Sequence, residues 1–348
     1  MITKKTCAAF GKLVLATATL ISLNNEQAIA QKPFQLQAKW AVGGEGGWDY
    51  LAVDPAMPRL YLTHGTRVEV LDTDTGKLVS NISGLKGTHG VTFDDTGKFG
   101  YISDGGANAV VVFDRASFEK VASIPAGTNP DGIVFEPRSK TVWAFNGRSK
   151  NATVINTTQR TVVATIPLPG KPEFPTVDGD GTVFVNIEDK NEIVRLDAAT
   201  TTATGTWQLT GCDSPSGMAI DVAGHRLFSV CDGRKMAVTD SKSGKSLATP
   251  AIGEGPDAAG YDAAHKLAFS SNGDGSLTIV DAAKSDYPIL QSLATMRGAR
   301  TMAFDPRSGR IYLVSAEFGP KPAATPENLH PRPSVVPESF IVLVVGRN

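Results

Sequence analysis

An acidic residue recurs through this chain at an almost constant interval, and no other sequence feature limits its fold so tightly. The segments Ala52-Val53-Asp54, Thr92-Phe93-Asp94, Val134-Phe135-Glu136, Thr176-Val177-Asp178, Ala219-Ile220-Asp221, Gly260-Tyr261-Asp262 and Ala303-Phe304-Asp305 repeat with spacings of 40, 42, 42, 43, 41 and 43 residues. An aromatic follows each acid by six or seven positions: Tyr61, Tyr101, Trp143, Phe184, Phe228, Phe269 and Tyr312. In six copies a third run ends on a polar residue, namely Asp72, Asp114, Asn156, Asp197, Asp240 or Asp281. Each unit holds four short β-type runs between Gly, Asp, Asn and Pro turns, as in Gly90 to Phe93, Phe99 to Ser103, Ala109 to Phe113 and Lys120 to Ile124. A four-stranded unit of about 40 residues is a propeller blade, so seven copies predict an all-β, seven-bladed β-propeller.

The two ends of the chain complete each other. The last copy stops after its third strand, Phe340 to Val345, while Gln35 to Val42 precedes the first copy and has the character of a fourth strand. The N-terminal strand is therefore expected to close blade seven, which removes an exposed sheet edge. With 35 glycines in 348 residues and only 7% aromatics, no single sheet here could bury both of its faces. Seven arranged radially can.

At Val110-Val111-Val112-Phe113-Asp114, Val121-Ala122-Ser123-Ile124-Pro125-Ala126-Gly127 and Asn129-Pro130-Asp131-Gly132 the chain resembles the YVTN-repeat, YncE-like family of exported seven-bladed propellers. The resemblance runs over residues 34 to 346. It implies the fold and export, and it leaves function open, because such propellers host binding proteins, lyases and lactonases alike.

Residues 1–30 read as an address rather than as structure: Lys4, Lys5 and Lys12 flank the start of the apolar run Leu13 to Leu23, and Ala28-Ile29-Ala30 is a small-x-small cleavage site. The run is shorter than the ~20 residues of a membrane anchor, so the expectation is a cleaved signal over 1–30, a single propeller domain over 31–348 and a periplasmic or secreted protein without a membrane span. Cys212 and Cys231 then remain as an even pair in an oxidising compartment, which predicts one disulfide. A formal net charge of -1 offers no basic surface of the kind a phosphate backbone needs, so nucleic acid is not expected as a partner. A monomer is expected.

Two short motifs are turns. Asp72-Thr73-Asp74-Thr75-Gly76 opens like a calcium loop, and Gly244-Lys245-Ser246 looks like part of a phosphate loop, but both occupy the same slot of their repeats. Function is better sought where the repeats differ. Five residues before each repeated acid stand Asp49, His89, Asp131, Glu173, Ser216, Asp257 and Arg300, all polar and all in one register. They should ring one mouth of the central channel. The ends of the second strands add His64, Asp104, Asn146, Arg148, Asn186, Glu188, Asp232, Asn272, Asp274 and Glu317 on the same face, and Trp48, Tyr50 and Phe174 add apolar walls. His225 and His265 fall on the opposite face.

Asp49, Asp131, Glu173 and Asp257 repel one another in a narrow pocket opposed only by Arg300 and His89, so a cation or cationic ligand is expected to compensate them. The expected ligand set for a hard divalent ion such as calcium is Asp131, Glu173, Asn186 and Asp257. The functional readings are a propeller binding a small ligand or divalent metal in this pocket, a metal-assisted, lactonase-like hydrolase or a lyase using His89 and Glu173 for proton transfer, and a protein-interaction scaffold. Finally, Gly319 to Pro337, rich in proline, replaces a short turn in blade seven and is expected to reach over the mouth.

Overall fold

The repeated acids turn out to be turn-makers. Asp54, Asp94, Glu136, Asp178, Asp221, Asp262 and Asp305 each accept a backbone N–H from two to four residues further on, closing the turn between the first and second strands of a blade. Asp72, Asp114, Asn156, Asp197, Asp240 and Asp281 do the same between the third and fourth strands, which settles the two decoy motifs as turns.

The computed structural model describes residues 1–3, 32–323, 325, 331 and 333–347. It divides into two units, Met1–Lys32 and Pro33–Asn348. The expected signal over 1–30 lies, apart from its first three residues, outside the described residues. In the second unit, seven four-stranded antiparallel sheets follow one another along the chain. Their innermost strands are Trp48–Val53, Thr88–Phe93, Pro130–Glu136, Pro172–Val177, Asp213–Asp221, Pro256–Asp262 and Met302–Asp305. Each of these touches its counterparts in the two neighbouring blades, and the first touches the last, so the sheets stand in a closed ring. This is a seven-bladed β-propeller. Among the described residues helix is confined to two single turns, Gly105–Ala107 and Glu188–Lys190, and no helix is long and apolar enough to cross a membrane.

Closure is made as the chain ends suggested. Phe34–Ala41 pairs antiparallel with Ile341–Arg347, from Phe34 opposite Arg347 to Ala41 opposite Ile341, and completes the seventh sheet from outside. The core lies in the seams between blades rather than in one centre. Tyr61 packs into the seam of blades one and two, Tyr101 into that of two and three, Trp143 into three and four, and the series continues through Phe184, Phe228, Phe269 and Tyr312, which returns to blade one. All seven are buried. Each repeat thus supplies the ring that fills its contact with the next blade, at roughly 1.5–3 kcal/mol of burial apiece. The middle strands are covered on both faces, as in Asn151–Asn156, whereas the outermost strands lie mostly toward solvent, as in Thr161–Pro167.

Cys212 and Cys231 form the expected disulfide, with Cα atoms 5.3 Å apart, inside the seam of blades four and five. It staples the entry of the innermost strand of blade five to the end of its neighbour. Replacing both cysteines by serine should lower the unfolding free energy by about 3 kcal/mol, the entropic worth of a loop of this length. Denaturant melts of the double variant check this, and an unchanged midpoint would contradict it.

Candidate functional site

Glycines allow the inner ends of the blades to converge. A Cβ at Gly90 would lie 3.3 Å from the Asp131 carbonyl oxygen, at Gly132 2.5 Å from that of Glu173, and at Gly217 2.7 Å from that of Asp257. Each of these glycines follows a ring residue and abuts the next ring residue's backbone; at Gly132 and Gly217 a Cβ would clash with that backbone outright, and at Gly90 its neighbours would have to give way. Side chains of the second strands then pin the ring from behind. Thr63 Oγ1 donates to the His89 carbonyl at 3.1 Å, Ser103 Oγ to that of Asp131 at 2.6 Å, Asn186 Nδ2 to that of Ser216 at 2.8 Å, and Ser271 Oγ to that of Arg300. In each case one blade holds the next blade's ring residue, which orients the side chains in register.

The ring side chains meet as adjacent clusters. His89 Nδ1 donates to Asp49 Oδ2 at 2.6 Å and lies 3.7 Å from Asp131 Oδ1, so one imidazole bridges carboxylates of blades one and three. Lys171 pairs with both Glu173 and Glu188. Ser216 Oγ donates to Asp257 Oδ1 at 2.7 Å, and Arg300 Nε approaches Asp257 Oδ2 at 3.1 Å. Tyr50 and Phe174, from blades one and four, touch edge to face with centroids 4.7 Å apart, so aromatic rings span the axis beside the charged groups.

Burial of these charges dominates the electrostatics. Desolvation, reinforced by the Asp49 charge, pushes the Asp131 carboxyl up to about 6. Desolvation and the Asp131 charge push Glu173 up to about 8. Burial also raises Asp49 and Asp257. For His89 burial acts downward, but the hydrogen bond to Asp49 and the Asp131 charge outweigh it and hold the imidazole up at about 9. His89 is therefore an imidazolium at neutral pH, and its Nδ1–H is the donor to Asp49.

The second-strand residues are placed differently. His64 is fully buried, with Nδ1 near Glu69 Oε1 and Arg67, and its ring packs on Phe340. Asn146 and Asn272 donate to Asn151 and Thr153, and to Ser276 and Thr278, within their own hairpins. Asn186 gives its amide to the Ser216 and Gly217 carbonyls and accepts from Ser229. Asp104 and Asp274 accept loop N–H groups from Lys86 and Glu254. Arg148, Asp232 and Glu317 are exposed. Of that set, only Glu188 joins a ring cluster. Sequence reasoning missed Lys171, whose one visible signal is its position two residues before Glu173, and it missed Arg67 and Glu69 beside His64.

The segment after Glu317 is anchored at its base, where Phe318 and Val335 bridge and Gly319 N donates to Ser334 O at 2.8 Å. Phe318 and Val335 line a cavity of about 470 Å³ together with Trp48 and Arg300. The described part of this segment therefore stands at the ring's mouth; residues 324, 326–330 and 332 lie outside the described residues.

No family model matches the chain, and none of the curated proteins does. Among solved structures, a chain of the hydrazine synthase of Kuenenia stuttgartiensis is similar, with a TM-score of 0.70 at 16% identity, covering 77% of this chain and 92% of that one. At that identity the likeness concerns the propeller fold alone.

The raised pKa values predict a pH profile with a definite sign. Glu173 in the fold keeps a proton that the unfolded chain releases near 4.5, so its contribution to stability falls as pH rises from about 4.5 to 8. His89 works in the same direction. The proton that stabilises it is fully bound in both states below about 6.5, and the gain is lost as pH passes 9. In chelator-treated protein, Glu173→Gln should remove up to about 1.4 kcal/mol per pH unit of this decline between pH 5 and 8. Thermal melts across that range provide the check, and a variant whose profile parallels wild type would contradict the assignment.

Proposed function

We propose that this chain is an exported propeller of the YVTN-repeat, YncE-like kind, and that it binds a divalent cation, with any small ligand the ion recruits, at the acidic inner ring. One observation carries the reading: Asp49, His89 and Asp131 each offer a ligand atom, and these atoms all lie within 4.8 Å of one another. An imidazole between two carboxylates suits zinc, manganese or iron better than calcium, which takes oxygen ligands. Asp131 is the one member of the expected calcium set in this cluster. Glu173 pairs with Lys171, Asp257 with Arg300 and Ser216, and Asn186 with backbone carbonyls, so none of these three joins the cluster as a ligand.

Charge balance points the same way. Among the described residues Asp49, Asp131, Glu188 and Asp257, with Glu173 holding its proton near neutrality, face only His89, Lys171 and Arg300. Binding would displace the His89 proton, because a ligating imidazole must be neutral there, and the ion would take over the compensation the imidazolium now provides. Such an ion supplies a charge that polarises a carbonyl oxygen. The disulfide supports export.

A second reading, hydrolysis or elimination in the same pocket, is favoured by Glu173, a carboxyl raised to about 8 beside the cluster, which can pass a proton to a bound substrate near neutrality. Calorimetry on chelator-stripped protein with zinc and manganese tests the main reading. Saturable binding at one site is expected, with proton release and at least a tenfold loss of affinity in Asp49→Asn and in His89→Ala. Absence of saturable binding, or variants that bind as wild type does, would overturn it.

A further inference from the structure

We infer that the cavity between blades six, seven and one is a binding site for a small organic acid with an aromatic body. Its volume of about 470 Å³ falls in the range of ligand clefts, roughly 300–1,000 Å³. Trp48 and Phe318 form an aromatic corner, their ring centroids 6.0 Å apart at 44°, and Trp48 is backed by Phe340 at 5.2 Å. Both corner rings are only half-buried and so keep open faces. Val335 continues the apolar wall. A flat hydrocarbon group stacks in such a corner and leaves water behind.

The cavity is also charged: among the described residues Arg297 and Arg300 line it, and no acidic side chain does. Arg297 makes no ion pair or side-chain hydrogen bond among the described residues. Arg300 places Nε on Asp257, while its terminal nitrogens make no hydrogen bond among the described residues. Guanidinium groups hold a carboxylate through paired, planar hydrogen bonds, so an unpaired arginine beside an aromatic corner selects an aryl carboxylate over a neutral aromatic or a cation. Gly47 borders the same space with a backbone any residue can adopt, and a Cβ built there meets nothing within 4 Å. A side chain at this position would enter the cavity without disturbing the fold.

This site is separate from the proposed cation cluster: it shares none of Asp49, His89 or Asp131, and occupancy does not require a metal. The test is calorimetric titration of the chelator-stripped full chain with 1-naphthylacetate and with its neutral counterpart 1-naphthylacetamide. The acid should bind at least tenfold more tightly than the amide. Arg297→Gln should weaken the acid at least fivefold while leaving the amide unchanged, and Gly47→Phe should abolish both, with zinc binding and melting temperature at wild-type values in each variant. Equal affinity for acid and amide, no binding of either, or undiminished binding in the two variants would overturn the proposal. Because zinc binding is read in the same samples, loss of the cation reading leaves this result standing, and the reverse holds too.

Discussion

The pairing of Phe34–Ala41 with Ile341–Arg347 is the interaction on which the rest of the molecule depends. Each blade exposes two apolar faces, and each face is buried only because a neighbour covers it. Six blade contacts follow from chain order, but the seventh, between Tyr312 with Val344 and Leu60 with Leu62, exists only if the ring closes. The strand pairing supplies that closure from the two ends of the chain, at a sequence distance that makes it entropically costly to form. Once made, it fixes the innermost strands around one axis and forces their entry points together.

That convergence has an electrostatic consequence. The approach of backbone to backbone at Gly90, Gly132 and Gly217 leaves the ring carboxylates little water, so each is raised and each finds a local cationic partner. His89 lies between Asp49 and Asp131, Lys171 between Glu173 and Glu188, and Arg300 beside Asp257. The arrangement is tense, since a propeller of this size could close around apolar residues at lower cost. Groups kept at such a cost are commonly the ones that do chemistry or bind ligand. The proposed cation cluster and the proposed acid site beside Trp48 and Phe318 would be two uses of this inner face.

Much of the fold was legible because its signals are local. Asp54 and its six equivalents mark turns through their own hydrogen bonds, and an acid that closes a turn must stand at a constant place in the repeat. The aromatics six or seven residues later are equally constrained, since each fills a seam of fixed width. The first ring of candidates was also legible, because register alone places Asp49, His89, Asp131, Glu173, Asp257 and Arg300 at equivalent points. What register cannot reveal is which polar groups the scaffold uses up. Asn146, Asn186 and Asn272 stand on the same face as the ring, yet their amides satisfy hairpin and neighbouring backbone groups, and His64 is held inside by Glu69 and Arg67. Lys171 stayed hidden because it lies off the repeat register, and the cavity at Trp48 and Phe318 because it joins residues about 270 positions apart whose meeting depends on ring closure.

The central claim is that ring closure builds a desolvated cluster of Asp49, His89 and Asp131 whose stable state includes a bound cation. Anomalous diffraction from crystals grown with manganese or zinc measures this most directly. The account predicts one strong peak inside the ring within coordination distance of both carboxylates and of the His89 imidazole, whose hydrogen bond to Asp49 is then broken. A ring without a peak, with His89 still donating to Asp49 at saturating metal, would contradict it.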